Sequence, residues 1–186
     1  MNYYSIVLFA HIVGALGFFV ALGVEWISVG QLWDATTTEQ VRAWMRVATG
    51  VRRLGMASML ALLVSGFSLM AITQIGGAWL IVAFWSLVLL SVLAVTLSFK
   101  RMGAITRAMS TEAGVVSASL RQLLRHPLLW IAIHIRVAIA LGIVFLMTVK
   151  PDVGGSLLTI GVATVLGLIL ALPRVGRERA QDAPAA

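Results

Sequence analysis

Long uninterrupted apolar runs alternate along this chain with shorter polar segments that hold most of its arginines. Five runs stand out, at about 3–29, 54–73, 78–99, 127–149 and 156–172. Each is close to the roughly 20 residues that an α-helix needs to cross about 30 Å of hydrocarbon. In lipid every backbone donor and acceptor must be satisfied within the protein, which leaves helices or a closed barrel. The runs are solid rather than alternating, so barrel strands are excluded. The expected fold is all-α: a polytopic transmembrane helical bundle of about five spans over residues 1–175, with a disordered tail at 176–186. The first run lacks a basic leader and is too long for a signal-peptide core, so it is expected to remain as a span.

The connections differ on the two sides. Gln74-Ile75-Gly76-Gly77 and Lys150-Pro151-Asp152-Val153-Gly154-Gly155 have the Gly and Pro punctuation of tight turns, which makes spans 2 and 3, and spans 4 and 5, antiparallel neighbours. The other segments are longer and have helical patterning. Thr36-Thr37-Thr38-Glu39 resembles a capping box opening a helix toward Arg53. Val116, Leu120, Leu123 and Leu124 recur at helical spacing opposite Arg121 and Arg125, and Pro127 suits the first position of span 4. Small residues form stripes that let helices approach closely: Ala163, Gly167 and Ala171 in span 5, Ser58, Ala61, Ser65 and Ser68 in span 2, Ala10 and Gly14 in span 1.

Charge then orients the chain. Of its 14 Lys and Arg residues, all but Lys150 and Arg136 fall in the two longer connections or after the last run. With an odd number of crossings this bias predicts the N-terminus outside and the C-terminus in the cytoplasm, in a bacterial inner membrane. Hydrophobic residues make up 60% of the chain and charged ones 11%, against roughly 25% charge in a soluble domain. The net charge of +7 fits anionic lipid headgroups better than nucleic acid, because the arginines border apolar runs and are not interleaved with stacking aromatics. The absence of cysteine removes disulfides, thiolate metal sites and cysteine nucleophiles.

Ionisable groups at membrane depth are disfavoured by about 2.5–3.5 kcal/mol each, which makes each a functional candidate. Four qualify: His11 and Glu25 in span 1, His134 and Arg136 in span 4. His11 and Glu25 lie about 21 Å apart on one face of their helix. Counted from the basic side, Glu25 is about 6 Å deep, His134 about 10 Å and Arg136 about 14 Å, with His11 deeper still. A Glu25–Arg136 pair is therefore expected, with His11 approaching from the other side. His134 and Arg136, about 200° apart around their helix, face different surroundings.

Two kinds of function follow. One is a polar site at His11, Glu25 and Arg136, with His134 a further cofactor candidate, binding haem b, a quinone-like molecule or a proton-coupled solute. The other is a non-catalytic accessory subunit whose small-residue seams dock it on a homo-oligomer or larger membrane complex. The difference in depth between His11 and His134 is awkward for two axial haem ligands and leaves His11 as a single one. No His/Glu pair within a span has the i, i+3 or i+4 spacing of a metal site, so none is expected. Nucleophile–base sets, phosphate loops and dinucleotide fingerprints are absent from the sequence, and with them the hydrolase and NTPase classes.

Through Ala10-His11-Ile12-Val13-Gly14-Ala15, the Trp79-to-Lys100 third span and Arg136, most of the chain resembles the DUF2269-type bacterial membrane family, which is similar in turn to CopD-type and HemJ-type four-helix proteins. The resemblance implies that His11 is a haem- or copper-related ligand. It departs from the pattern in lacking methionine-rich outer motifs and in placing its lysine, Lys100, at the end of span 3.

Overall fold

The structure, a computed structural model, describes residues 2–74, 76–110, 112 and 114–181, apart from the side chains at 98, 99, 175 and 177–181. The described residues form helices and no strand. Five of the helices or continuous helical stretches are long and apolar enough to cross a membrane. The chain divides into two compact units, residues 1–77 and 78–186.

The first unit is a helical hairpin of α1 (Tyr3–Asp34) and α2 (Thr38–Thr73). Its helices have 32 and 36 residues, about 48 and 54 Å at 1.5 Å per residue. Both overshoot the roughly 30 Å of hydrocarbon. The apolar run at 54–73 is thus only the second half of α2, and the basic segment before it is the same helix continued. The cap that opens α2 lies one residue later than expected. Thr37 is the N-cap, its Oγ1 accepting from the Gln40 N–H at 3.3 Å, while the Gln40 side chain reaches back to the Thr37 N–H at 3.4 Å. Glutamine closes the box as well as glutamate does, since only an acceptor oxygen at the third helical position is required. At its far end α2 stops on Gln74 in the left-handed region, φ 51°, whose N–H bonds to the Met70 carbonyl.

The hairpin closes through small residues in antiparallel register. A Cβ placed on Gly14 would come within 3.3 Å of Ala61 Cβ and of the Leu62 nitrogen. On Gly17 it would meet Ser58 Oγ at 2.5 Å, and on Gly55 it would touch Ala21 Cβ at 3.4 Å. Ser58 and Ser65, two of the expected seam positions, are buried here. Ala10 is exposed and stands outside the seam.

The second unit begins with α3 (Ala78–Leu93), continues without a break through a π-helical segment at Ala94–Phe99 and runs on as α4 (Lys100–Met109). Ser91 and Thr96 hydroxyls donate to the Leu87 and Val92 carbonyls, a local competition for acceptors that accompanies the widened turns. The short α5 (Ala118–Leu124) opens on Ser117, whose hydroxyl accepts from the Leu120 N–H and also meets the Glu112 carboxylate. Its apolar side, Val116, Leu120 and Leu124, is buried, as the spacing predicts. Then come α6 (Pro127–Val149) and α7 (Val153–Gln181).

Helix α6 packs against α3 and α7. Pro127 occupies its first turn, where a missing N–H leaves no bond unmade. Its buried stripe runs Leu129, Ile133, Arg136, Ile139, Ala140, Ile143 and Leu146. The contact with α7 is a backbone-to-backbone approach: a Cβ on Gly167 would fall 2.8 Å from Ile135 Cα and 2.9 Å from the His134 carbonyl oxygen. Between these helices Lys150 turns the chain at φ 53° and Asp152 caps α7, its carboxylate accepting from the Gly155 N–H at 2.7 Å. Helix α7 does not stop at Leu172. It accommodates Pro173 in its interior and continues to Gln181, into the segment expected to be a disordered tail. Proline removes one ladder bond there, and the Arg, Glu, Ala and Gln that follow are good helix formers. Residues 182–186 lie outside the described residues.

Candidate functional site

His11 sits on α1 one turn before Gly14, so the register that closes the seam carries its ring to Ser65 and Gly66 of α2. His11 Nδ1 is 3.0 Å from Ser65 Oγ. The Ser65 hydroxyl proton is directed to the Ala61 carbonyl one turn back in α2. Its oxygen is therefore the acceptor for the imidazole, and Nδ1 carries the proton. Nε2 is left with the lone pair. Gly66 lets the ring lie close to α2, since a Cβ there would already touch His11 Cε1 at 3.4 Å.

Glu25 is partly buried on the same helix. Continuing the seam one turn beyond Ala21 and Gly55 brings it level with Gly50 and Val51, within a turn of Arg52 and Arg53. The carboxylate thus stands where the basic part of α2 begins, rather than along its uncharged half.

Arg136 is 6% exposed, in the middle of the buried stripe of α6. His134, two residues earlier, points elsewhere, as the angular separation predicts. Its Nδ1 donates to the Trp130 carbonyl at 2.8 Å, and its ring lies tilted at 55° against the Trp130 indole with centroids 4.3 Å apart. The guanidinium of Arg174 lies over the same indole, 4.6 Å from its centroid. His134, Trp130 and Arg174 form one cluster that joins α6 and α7. Glu25 and His11 belong to the first unit, Arg136 and His134 to the second, so the ion pair expected of Glu25 and Arg136 is not a contact within either unit.

The histidines constrain a haem. His11 is the one histidine of the first unit. In the second, His126 Nδ1 accepts the Leu128 N–H at 3.3 Å as the N-cap of α6, and His134 is eight residues further along the same helix. That is a rise of about 12 Å, too long for two ligands of a single iron. Within one unit, then, no two histidines are placed to hold one haem iron together. Among the described residues, no group of three or more His, Asp or Glu side chains is placed to hold a metal ion.

Two participants escaped the sequence. Ser65 was legible only as a small seam residue, although its distance from His11 follows once the register is known. Arg174 was counted for its charge and sign; its stacking partner lies 44 residues away on another helix. Compared with known protein families, with characterised proteins and with solved structures, the chain matches none.

Proposed function

We propose that this is a multi-pass protein of the bacterial cytoplasmic membrane, N-terminus outside and C-terminus inside, in which His11 is the intramembrane group that receives a ligand or a proton. The reading is supported by one observation above all. An imidazole within an apolar stretch of α1 is fixed through Nδ1 by a serine whose own proton is engaged, so its basic Nε2 lone pair is kept for something else. Holding one ring nitrogen by a neighbouring acceptor is the usual way a protein orients the other toward a metal or a transferred proton.

For a quinone-like ligand or a proton-coupled solute, Nε2 accepts a hydrogen bond from a bound hydroxyl while the Nδ1–H stays on Ser65 Oγ. Haem is the second ligand class that fits, with His11 as its one axial histidine; it would supply one-electron chemistry at the iron. Kinship with the DUF2269-type family belongs to the same proposal.

The visible spectrum of the purified protein, before and after dithionite, separates these versions. Bands that disappear in His11→Ala support haem, and a featureless spectrum removes it. The proton or quinone version predicts that His11→Ala abolishes the cellular phenotype while Ser65→Ala weakens it; indifference to both removes that version as well.

The accessory-subunit reading has its own support in the tethering of His134 to a carbonyl of its own helix, as expected of a purely structural polar residue. A mild-detergent pull-down that recovers a fixed larger complex favours it.

A further inference from the structure

Hydroxyls along the helices usually return to their own backbone. At Ser28, Ser65, Ser68, Ser86, Ser91 and Thr164 the hydroxyl donates to the carbonyl four residues back, which satisfies it without a second helix. Ser58 of α2 does otherwise. It is 6% exposed, yet among the described residues its Oγ has no hydrogen-bond partner. The point where a Gly17 Cβ would stand is 2.5 Å from Ser58 Oγ and 3.5 Å from Ser58 Cβ, so the hydroxyl is turned across the seam toward α1. The Leu54 carbonyl, which it would otherwise engage, keeps a lone pair. An unsatisfied hydroxyl is costly in apolar surroundings, and a donor with an acceptor one turn away is what holds a buried water. Helices this close admit a small oxygen ligand and exclude a larger solute.

The seam differs on the two sides of Ser58. Toward the basic side, a Cβ on Gly55 would meet a single atom within 4 Å, Ala21 Cβ at 3.4 Å. Arg53 is five residues away, about 7.5 Å, and is exposed like Arg52, with Glu25 partly buried at the same mouth. Toward His11, a Cβ on Gly14 would meet Ala61 Cβ and the Leu62 nitrogen at 3.3 Å and Leu62 Cγ at 3.4 Å. Ser65 lies seven residues beyond Ser58, about 10.5 Å.

We propose that Ser58 holds a water molecule that enters the hairpin from the basic side, and that the Gly14–Ala61 contact stops the water there, two turns short of the His11–Ser65 bond. Ser58 donates to this water, and the Leu54 carbonyl accepts from it. The tight contact at Gly14 then separates His11 from the water of the basic side. The proposal rests on the membrane reading above and holds whichever ligand His11 takes.

Solid-state NMR of the serine-labelled full chain in phospholipid bilayers, with polarisation transferred from water, tests it. The Ser58 signal is identified by its loss in Ser58→Ala, which breaks no hydrogen bond of the protein and so keeps the hairpin. Ser58 is expected to gain polarisation several-fold faster than Ser65 and Ser86, each 5% exposed and bonded to its own helix. Gly55→Ala, whose methyl the seam admits in ordinary contact, narrows the entry; it slows Ser58 several-fold and leaves Ser65 as it was. A Ser58 as slow as Ser86 overturns the proposal, because its hydroxyl is then dry. A Ser65 as fast as Ser58, or a Ser58 indifferent to Gly55→Ala, overturns it as well. None of these outcomes touches the membrane reading, which fails separately if the chain is soluble without detergent.

Discussion

The two units bring antiparallel helices together in different ways. In the first, Gly14, Gly17 and Gly55 face Ala61, Ser58 and Ala21, and the seam carries polar atoms along its length, ending in the His11–Ser65 bond. In the second, Gly167 of α7 lies against the Ile135 and His134 backbone and the Ala138 methyl of α6, Gly142 of α6 meets the Ala163 and Ile160 side chains of α7, and the His134–Trp130–Arg174 cluster lies toward one end. Small residues permit close approach in both. A seam with hydroxyls can hold a polar ligand group at mid-helix, because each polar atom placed there finds a partner. A seam of backbone against glycine gives tighter packing and leaves polar chemistry to its margin. Arg136 is the exception, a charge in the middle of the apolar stripe.

Changes at these positions sharpen or break the contrast. The largest effect is expected of Arg136→Met, which keeps the bulk and removes a charge that is 6% exposed. The acceptors that balance a buried guanidinium are then stranded, and the loss is roughly 3–5 kcal/mol, read as a fall in thermal midpoint in detergent. A stability equal to or above the wild type would mean that the stripe tolerates an apolar replacement and the charge is there for function alone. Next comes Gly167→Ala. The added methyl would sit 2.8 Å from Ile135 Cα, and backbone cannot swing aside, so about 1–3 kcal/mol is lost. Gly17→Ala in the first unit should be milder, because its clash is with the Ser58 hydroxyl, which can rotate. If Gly17→Ala destabilises more than Gly167→Ala, the distinction between the seams is wrong. Ser65→Ala should cost about 1 kcal/mol, one net hydrogen bond, while altering His11 more than it alters the fold. Gly161→Ala, where a Cβ meets nothing within 4 Å, should leave the midpoint unchanged or raise it by a fraction of a kcal/mol.

Much of the helical order was legible, because crossing length and unbroken apolarity are one-dimensional signals. The tight turns at Gln74 and Lys150 and the start of α6 at Pro127 were readable from residue type alone. The helix ends on the basic side were not. Nothing in apolarity marks where α2 begins or α7 stops, since amphipathic and alanine-rich segments continue a helix beyond the hydrocarbon as readily as they end one. The site was legible as a set of costly residues and illegible as a set of partners. His11 was visible from its apolar context, but the Ser65 contact depends on a register fixed by Gly14 and Gly17. Glu25 shows the same limit: depth counted along one helix placed it within the span, and the seam with α2 sets it beside Arg52 and Arg53.

The most direct test concerns the protons on one ring. Nitrogen-15 NMR of histidine-labelled protein in bilayers distinguishes a protonated ring nitrogen from a bare one, and His11→Gln identifies the His11 signals by their disappearance. The account predicts a neutral His11 with the hydrogen on Nδ1 and the lone pair on Nε2. A hydrogen on Nε2, with Nδ1 accepting from Ser65, would contradict it, because the nitrogen assigned to the ligand would have no lone pair to offer.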